Sequence, residues 1–223
     1  KAFMDSIDDG DIDDIHQYTH WYDDDIFSEF DGRFQKQHKY PGRPLISQEM
    51  STGYPDETGH STRFYTLVHQ NPSSLVGKFA YSYNDPEYFL ASQAFISKEL
   101  AEALRRSNPE ASGVLHFSLA TWFSKVYSAD NIHPQLTYYE MKKALQPVLV
   151  SAELWGRHFY GGDSLPLRIC VVNDDEKGRD IASCTLKWQL TDSNGKVFAG
   201  GNEAMPAVKY YGREWKSFEI RIP

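Results

Sequence analysis

The sequence predicts two parts of different class: a segment of an α/β barrel built from parallel βα units over residues 1 to 147, then an all-β antiparallel sandwich over residues 148 to 223. Three observations predict this. Short apolar runs alternate with helix-like stretches in the first part, the pattern of parallel strands joined by helical crossovers. After Pro147 the helical periodicity stops, and strand-like runs separated by turn residues take over. Finally, Glu49 follows a short apolar run, whereas a parallel strand covered by helices on both faces should stay apolar throughout.

Taken in order, Ile12 to Tyr18 reads as a strand and Asp24 to His38 as a helix with Ile26, Phe27, Phe30 and Phe34 on one side. Pro44 to Ser47 is the next strand, with Gln48 and Glu49 at its carboxyl end before the loop Gly53-Tyr54-Pro55. A helix follows Asn84-Asp85, with Pro86 suited to its first turn and Phe89, Ile96, Leu100, Ala103 and Leu104 on one face. It ends near Arg105-Arg106, where cations meet the negative end of the dipole and Pro109 stops the helix. Gly113 to Leu119 is a third apolar strand. Thr137 and Glu140 form a capping-box pattern opening a helix that turns Met141 and Leu145 inward. Three such units are part of a barrel, since a complete eightfold barrel needs ~250 residues. An upstream half is therefore expected.

In the second part the strands read as Val148 to Trp155, Leu165 to Val172, Cys184 to Leu190, Val197 to Phe198 and Trp215 to Ile222. Gly161-Gly162-Asp163, Asn173-Asp174-Asp175 and Asp192 to Gly195 are the turns between them, and Gly200-Gly201-Asn202-Glu203 reads as another turn. These runs are fewer than the seven strands of a typical immunoglobulin-like sandwich, so the sandwich is expected to be incomplete.

Composition limits the function classes. Aromatics make up 14% of the 223 residues and hydrophobic residues 40%, which suits a folded chain with a sizeable core, while the mean hydropathy of −0.57 leaves a polar surface. A net charge of −8 and the lack of a basic, aromatic-interleaved cluster argue against nucleic acid as a partner. No run approaches the ~20 apolar residues of a membrane span, so no membrane partner is expected. Cys170 and Cys184 lie in successive strand-like runs and are read as two buried free thiols, with pairing across a sheet as the alternative; without CxxC spacing they suggest neither a zinc site nor a redox motif. His16 and His20 are four apart, but on a strand and the loop beyond it rather than on a helix; neither they nor the acidic runs Asp9 to Asp13 and Asp23 to Asp25 fit a metal motif. No metal and no cofactor is expected.

Four stretches, in order, carry a resemblance. Asp14 to Tyr22, then Pro44 to Glu49, then Gly113 to Trp122, and last Tyr138 to Val150 together resemble the late barrel strands, final barrel helix and following β-sandwich of glycoside hydrolase family 2, which includes β-galactosidases, β-glucuronidases and β-mannosidases. The resemblance covers nearly the whole chain, and its specificity lies in the ordering of weak motifs. It implies the last three βα units of a (β/α)8 barrel and an immunoglobulin-like domain from about residue 148.

It also implies a retaining exo-glycosidase acting on terminal β-linked sugars, with two carboxylates about 5 to 5.5 Å apart. Glu49 matches the nucleophile. The acid/base, in that family a glutamate after an asparagine on an earlier strand, has no match, because the sole Asn-Glu pair is Asn202-Glu203 in the sandwich half. The chain alone is thus expected to be inactive and to need the missing half of its barrel. His16, Tyr18, Trp21 and Trp122 are the expected contacts to an oligosaccharide or glycoside substrate, through hydroxyl-bonding groups and apolar ring faces. A parent enzyme degrading external polysaccharide would be periplasmic or extracellular. The alternative reading is a non-catalytic carbohydrate-binding or interaction module.

Overall fold

The computed structural model describes residues 10–16, 38–50, 86–116, 122–124, 128–154 and 158–223. The chain divides into two compact units, Lys1–Leu145 and Gln146–Pro223.

In the first unit β1 (Asp13–His16), β2 (Leu45–Met50) and β3 (Ala111–His116) form a parallel sheet with β2 in the centre. Between β2 and β3 runs α1 (Pro86–Ser107), a helical crossover of the kind parallel strands require. Its buried stripe, Ile96, Leu100, Ala103 and Leu104, repeats at helical spacing and packs with Ile15 and Leu45 of the sheet. Full burial of each Leu or Ile contributes roughly 1.5 to 3 kcal/mol. On α1, Lys98 bridges Glu102 at 2.8 Å and Glu99 at 3.1 Å. The helix closes where the Asn108 amide donates to the Leu104 carbonyl, just before Pro109.

The short hairpin strands β4 (Phe123–Ser124) and β5 (His133–Pro134) precede α2 (Leu136–Ala144). Thr137, Met141 and Ala144 are the buried side of α2, and Arg105 of α1 donates to the Ala144 carbonyl at 2.5 Å, satisfying an acceptor at the end of α2. The capping box is not used. Gln135 stands at the N-cap without a side-chain hydrogen bond, Thr137 lies inside the helix, and Leu145, expected to face inward, is an exposed C-cap residue.

The second unit is antiparallel throughout. β7 (Ser164–Asn173) is central to a three-stranded sheet between β6 (Val148–Glu153) and β10 (Gly212–Arg221), and β8 (Cys184–Thr191) pairs with β9 (Val197–Met205). Leu167, Ile169 and Val171 of β7 pack with Leu186, Met205, Val208 and Ile220, while Cys170 and Val172 point the other way, toward Leu149 and Trp215. The Asp192 to Gly195 turn forms with Gly195 at φ 81° and the Asp192 carboxylate accepting the Asn194 and Lys196 amides at 2.9 Å. Gly200 to Glu203 is no turn: it lies inside β9. Both cysteines are free, Cys170 buried but Cys184 exposed.

The fold-class expectation is therefore corrected. The described residues do not form an α/β barrel segment: they are mostly β, 44% strand against 20% helix, with two helices and only small sheets of two or three strands. The long strands of the second unit, up to ten residues each, outweigh the short parallel ones of the first. The segment after β3 spends its residues on a hairpin before α2. Most of the helix expected at Asp24 to His38 lies outside the described residues, and His38 itself is not helical.

Candidate functional site

Two register shifts meet on β2. Ile15 and His16 are consecutive on β1, but their partners Ser47 and Glu49 are two apart. On the other side, Val114 and His116 of β3 are two apart, while their partners Ser47 and Met50 are three apart. Relative to both neighbours, β2 thus holds one extra residue at Gln48-Glu49. Bulges are rare in parallel pairing, and they re-aim a side chain at the expense of the regular ladder, often beside functional sites. Glu49 lies within the strand, not past its end, and the bulge sets it apart.

The register brings together what the sequence had separated. In register, His16 pairs with Glu49 and His116 with the next residue, Met50, so both histidine positions fall beside the bulged end of β2, at the carboxyl ends of three parallel strands. Ligands of open α/β sheets bind at that end. Tyr18 and Trp21 lie outside the described residues.

Trp122 is held on several sides. Its carbonyl accepts the Gln135 amide at 2.8 Å, its ring meets Tyr138 edge-on at 6.3 Å, and its indole Nε1 donates to His116 Nδ1 at 2.8 Å. It packs against the sheet–helix core yet stays partly exposed. An indole N–H is only a donor, so Nδ1 of His116 is the acceptor; the neutral ring then carries its proton on Nε2 and donates it to Ser97 Oγ, 2.8 Å away on α1. Although His116 keeps some exposed surface, protein atoms crowd its imidazole, and this burial pushes its pKa down to about 3. The ring stays neutral at ordinary pH.

Neither His116 nor Ser97 was singled out from sequence. The signal in the sequence is weaker than the one that marks Glu49: His116 is a titratable residue in the middle of the largely apolar run Gly113 to Leu119. At the opposite, amino end of the sheet, Asp13 accepts the Lys39 amide at 2.7 Å, and His38 contacts the Arg43 carbonyl at 3.2 Å and Glu110 at 3.4 Å. These groups are spent tying chain segments together.

Among the described residues no group of three or more His, Cys, Asp or Glu is placed to hold a metal ion. Asn202 and Glu203 lie in β9 of the other unit, where Glu203 pairs with Lys216 at 3.4 Å. Compared with known proteins, the chain matches no family model and no curated protein.

Proposed function

We propose that the chain carries the nucleophile of a retaining β-glycosidase, Glu49, and that it resembles glycoside hydrolase family 2 because of this strand-end arrangement. The observation that carries the reading is the extra residue of β2 at Gln48-Glu49, with His16 paired to Glu49 and His116, which holds Trp122, paired to the adjacent Met50. In the first step a carboxylate oxygen of Glu49 attacks the anomeric carbon. The bond to the leaving oxygen breaks, and that oxygen takes a proton from a second carboxylic acid. Water then cleaves the glycosyl ester, giving its proton back to the second carboxylate. Trp122 supplies an apolar ring surface for the sugar, and His16 a hydrogen-bonding group beside the nucleophile.

The second carboxylate is not supplied by a matching Asn-Glu pair, so the chain by itself performs at most the half of the reaction that needs no acid. An activated 2-deoxy-2-fluoro-β-glycosyl fluoride supplies a leaving group that departs unprotonated, and its ester turns over slowly. Intact mass after incubation with a panel of such sugars is expected to show one glycosyl adduct on Glu49, lost in Glu49→Gln. An unmodified chain across the panel, or an adduct that survives E49Q, overturns the nucleophile assignment. The lack of an acid/base match favours one other reading, a carbohydrate-binding module; its mark is saturable sugar binding, by calorimetry, without any adduct.

A further inference from the structure

We infer that His116 is a positioning residue for Trp122: it takes the indole N–H on Nδ1, is itself fixed through Nε2 by Ser97 of α1, and so leaves the ring of Trp122, not its polar edge, to meet a ligand. The chain of contacts is continuous. Ser97 is fully buried on α1, the two bonds to His116 are each 2.8 Å, and the His116 and Trp122 rings are tilted at 52° with centroids 5.9 Å apart. Because one imidazole nitrogen must accept from an obligate donor, the other must be protonated, and the whole relay has a single consistent direction: Trp122 to His116 to Ser97. Turning the indole away would forfeit this hydrogen bond, so Trp122 keeps its orientation as long as Nδ1 is available. The consequence for recognition is specific. Trp122 offers an apolar face, suited to the C–H face of a pyranose ring, and withholds the donor that would bond a sugar hydroxyl. The half of this inference that concerns sugar rests on the glycosidase reading above; the half that concerns the relay does not.

Two substitutions separate the two nitrogens. Asn places its amide oxygen near Nδ1 and keeps an acceptor for Trp122; Gln reaches the Nε2 position and does not. On the full chain labelled with ¹⁵N-histidine and ¹⁵N-tryptophan, His116 is expected as the Nε2–H tautomer, and the Trp122 indole proton as protected from solvent exchange. His116→Asn should retain that protection and His116→Gln should lose it, roughly five- to tenfold in exchange rate, the scale of one hydrogen bond. With the 2-fluoro-glycosyl fluoride that labels the wild type, H116Q should raise the inhibition constant by a similar factor, with the limiting inactivation rate held. An Nδ1–H tautomer in the wild type, or equal indole exchange in wild type and H116Q, overturns the relay, and the tautomer decides this even if a variant fails to fold. A wild type that shows the relay but takes no label removes the glycosidase reading and leaves the positioning of Trp122 standing. Labelling that H116Q does not alter, despite a freed indole, overturns the role in recognition.

Discussion

His116 is neutral when the folded chain is neutral or mildly acidic, and this couples stability to pH. Burial lowers its pKa from 6.5 to about 3, so between those values the unfolded chain binds a proton that the folded chain refuses. Stability therefore falls as pH drops through 6.5, and the loss stops near 3, where both states are protonated. Each pH unit inside the window costs at most about 1.4 kcal/mol, or about 2 kcal/mol between pH 7 and pH 5. Asp175 and Asp180 lie low because of Arg179 and Lys209 respectively, but both are solvent-exposed and lose their partners only well below neutrality. Urea unfolding at pH 7 and pH 5 should show this loss in the wild type and a much smaller one in His116→Asn. Equal pH sensitivity of the two would refute a buried neutral imidazole. The residue itself was legible only in part: a histidine inside the largely apolar run Gly113 to Leu119 is a polar group set among apolar ones, but nothing in the order of residues says that Trp122, six positions on, closes back onto it.

At the scale of elements, what was legible had redundant signals. α1 combines a proline in its first turn, an apolar stripe at helical spacing, and Arg105 and Arg106 at its end, and it forms as read. α2 had one signal, the Thr137–Glu140 pattern, and that signal lost to packing: Met141 and Ala144 must face α1, and the Gln135 amide is tied to the Trp122 carbonyl, which places the helix start two residues earlier. The bulge at Gln48-Glu49 has no signature in composition, because it is a relation between β2 and two strands far away in sequence. In β9 the pair Gly200-Gly201 reads as punctuation, yet Gly201 is in mid-strand because the Trp188 ring, stacked on Phe218 at 5.7 Å, occupies the space where a side chain would go. A Cβ at Gly201 would sit 2.8 Å from that ring, whereas at Gly200 the nearest atom, the Trp188 carbonyl oxygen, is 3.2 Å away. Gly201→Ala is thus expected to destabilise by about 1 to 3 kcal/mol, the usual range for overpacking, and to alter the near-UV dichroism of Trp188. Gly200→Ala should cost clearly less in the same urea titration. Equal midpoints for the two variants would mean that Trp188 does not fill the space beside β9.

At the scale of the whole molecule, the alternation of strands and helices correctly placed short parallel strands, but among the described residues the antiparallel strands of Gln146–Pro223 dominate. That imbalance has a physical consequence at the sheet edges. Among the described residues β6 has one neighbour, β7, and its first residues expose Val148 and Val150 with no charge before Glu153. On β3, likewise an outer strand, Leu115 is exposed. Apolar edges of this kind template pairing with a second chain. The net charge of −8 opposes that pairing through repulsion that salt screens, with a Debye length of about 10 Å at 0.1 M falling to about 3 Å at 1 M. Self-association should therefore grow with concentration and with sodium chloride, and Val150→Lys, which puts a charge on the β6 edge while leaving the buried Leu149 and Ser151 untouched, should suppress it with a change in stability within about 0.5 kcal/mol. Light scattering from micromolar solutions at low and high salt is the direct measurement. If Leu115→Lys suppresses association and V150K does not, the pairing edge belongs to the parallel sheet; a wild type that stays monomeric at high salt would show that neither edge is available to a second chain.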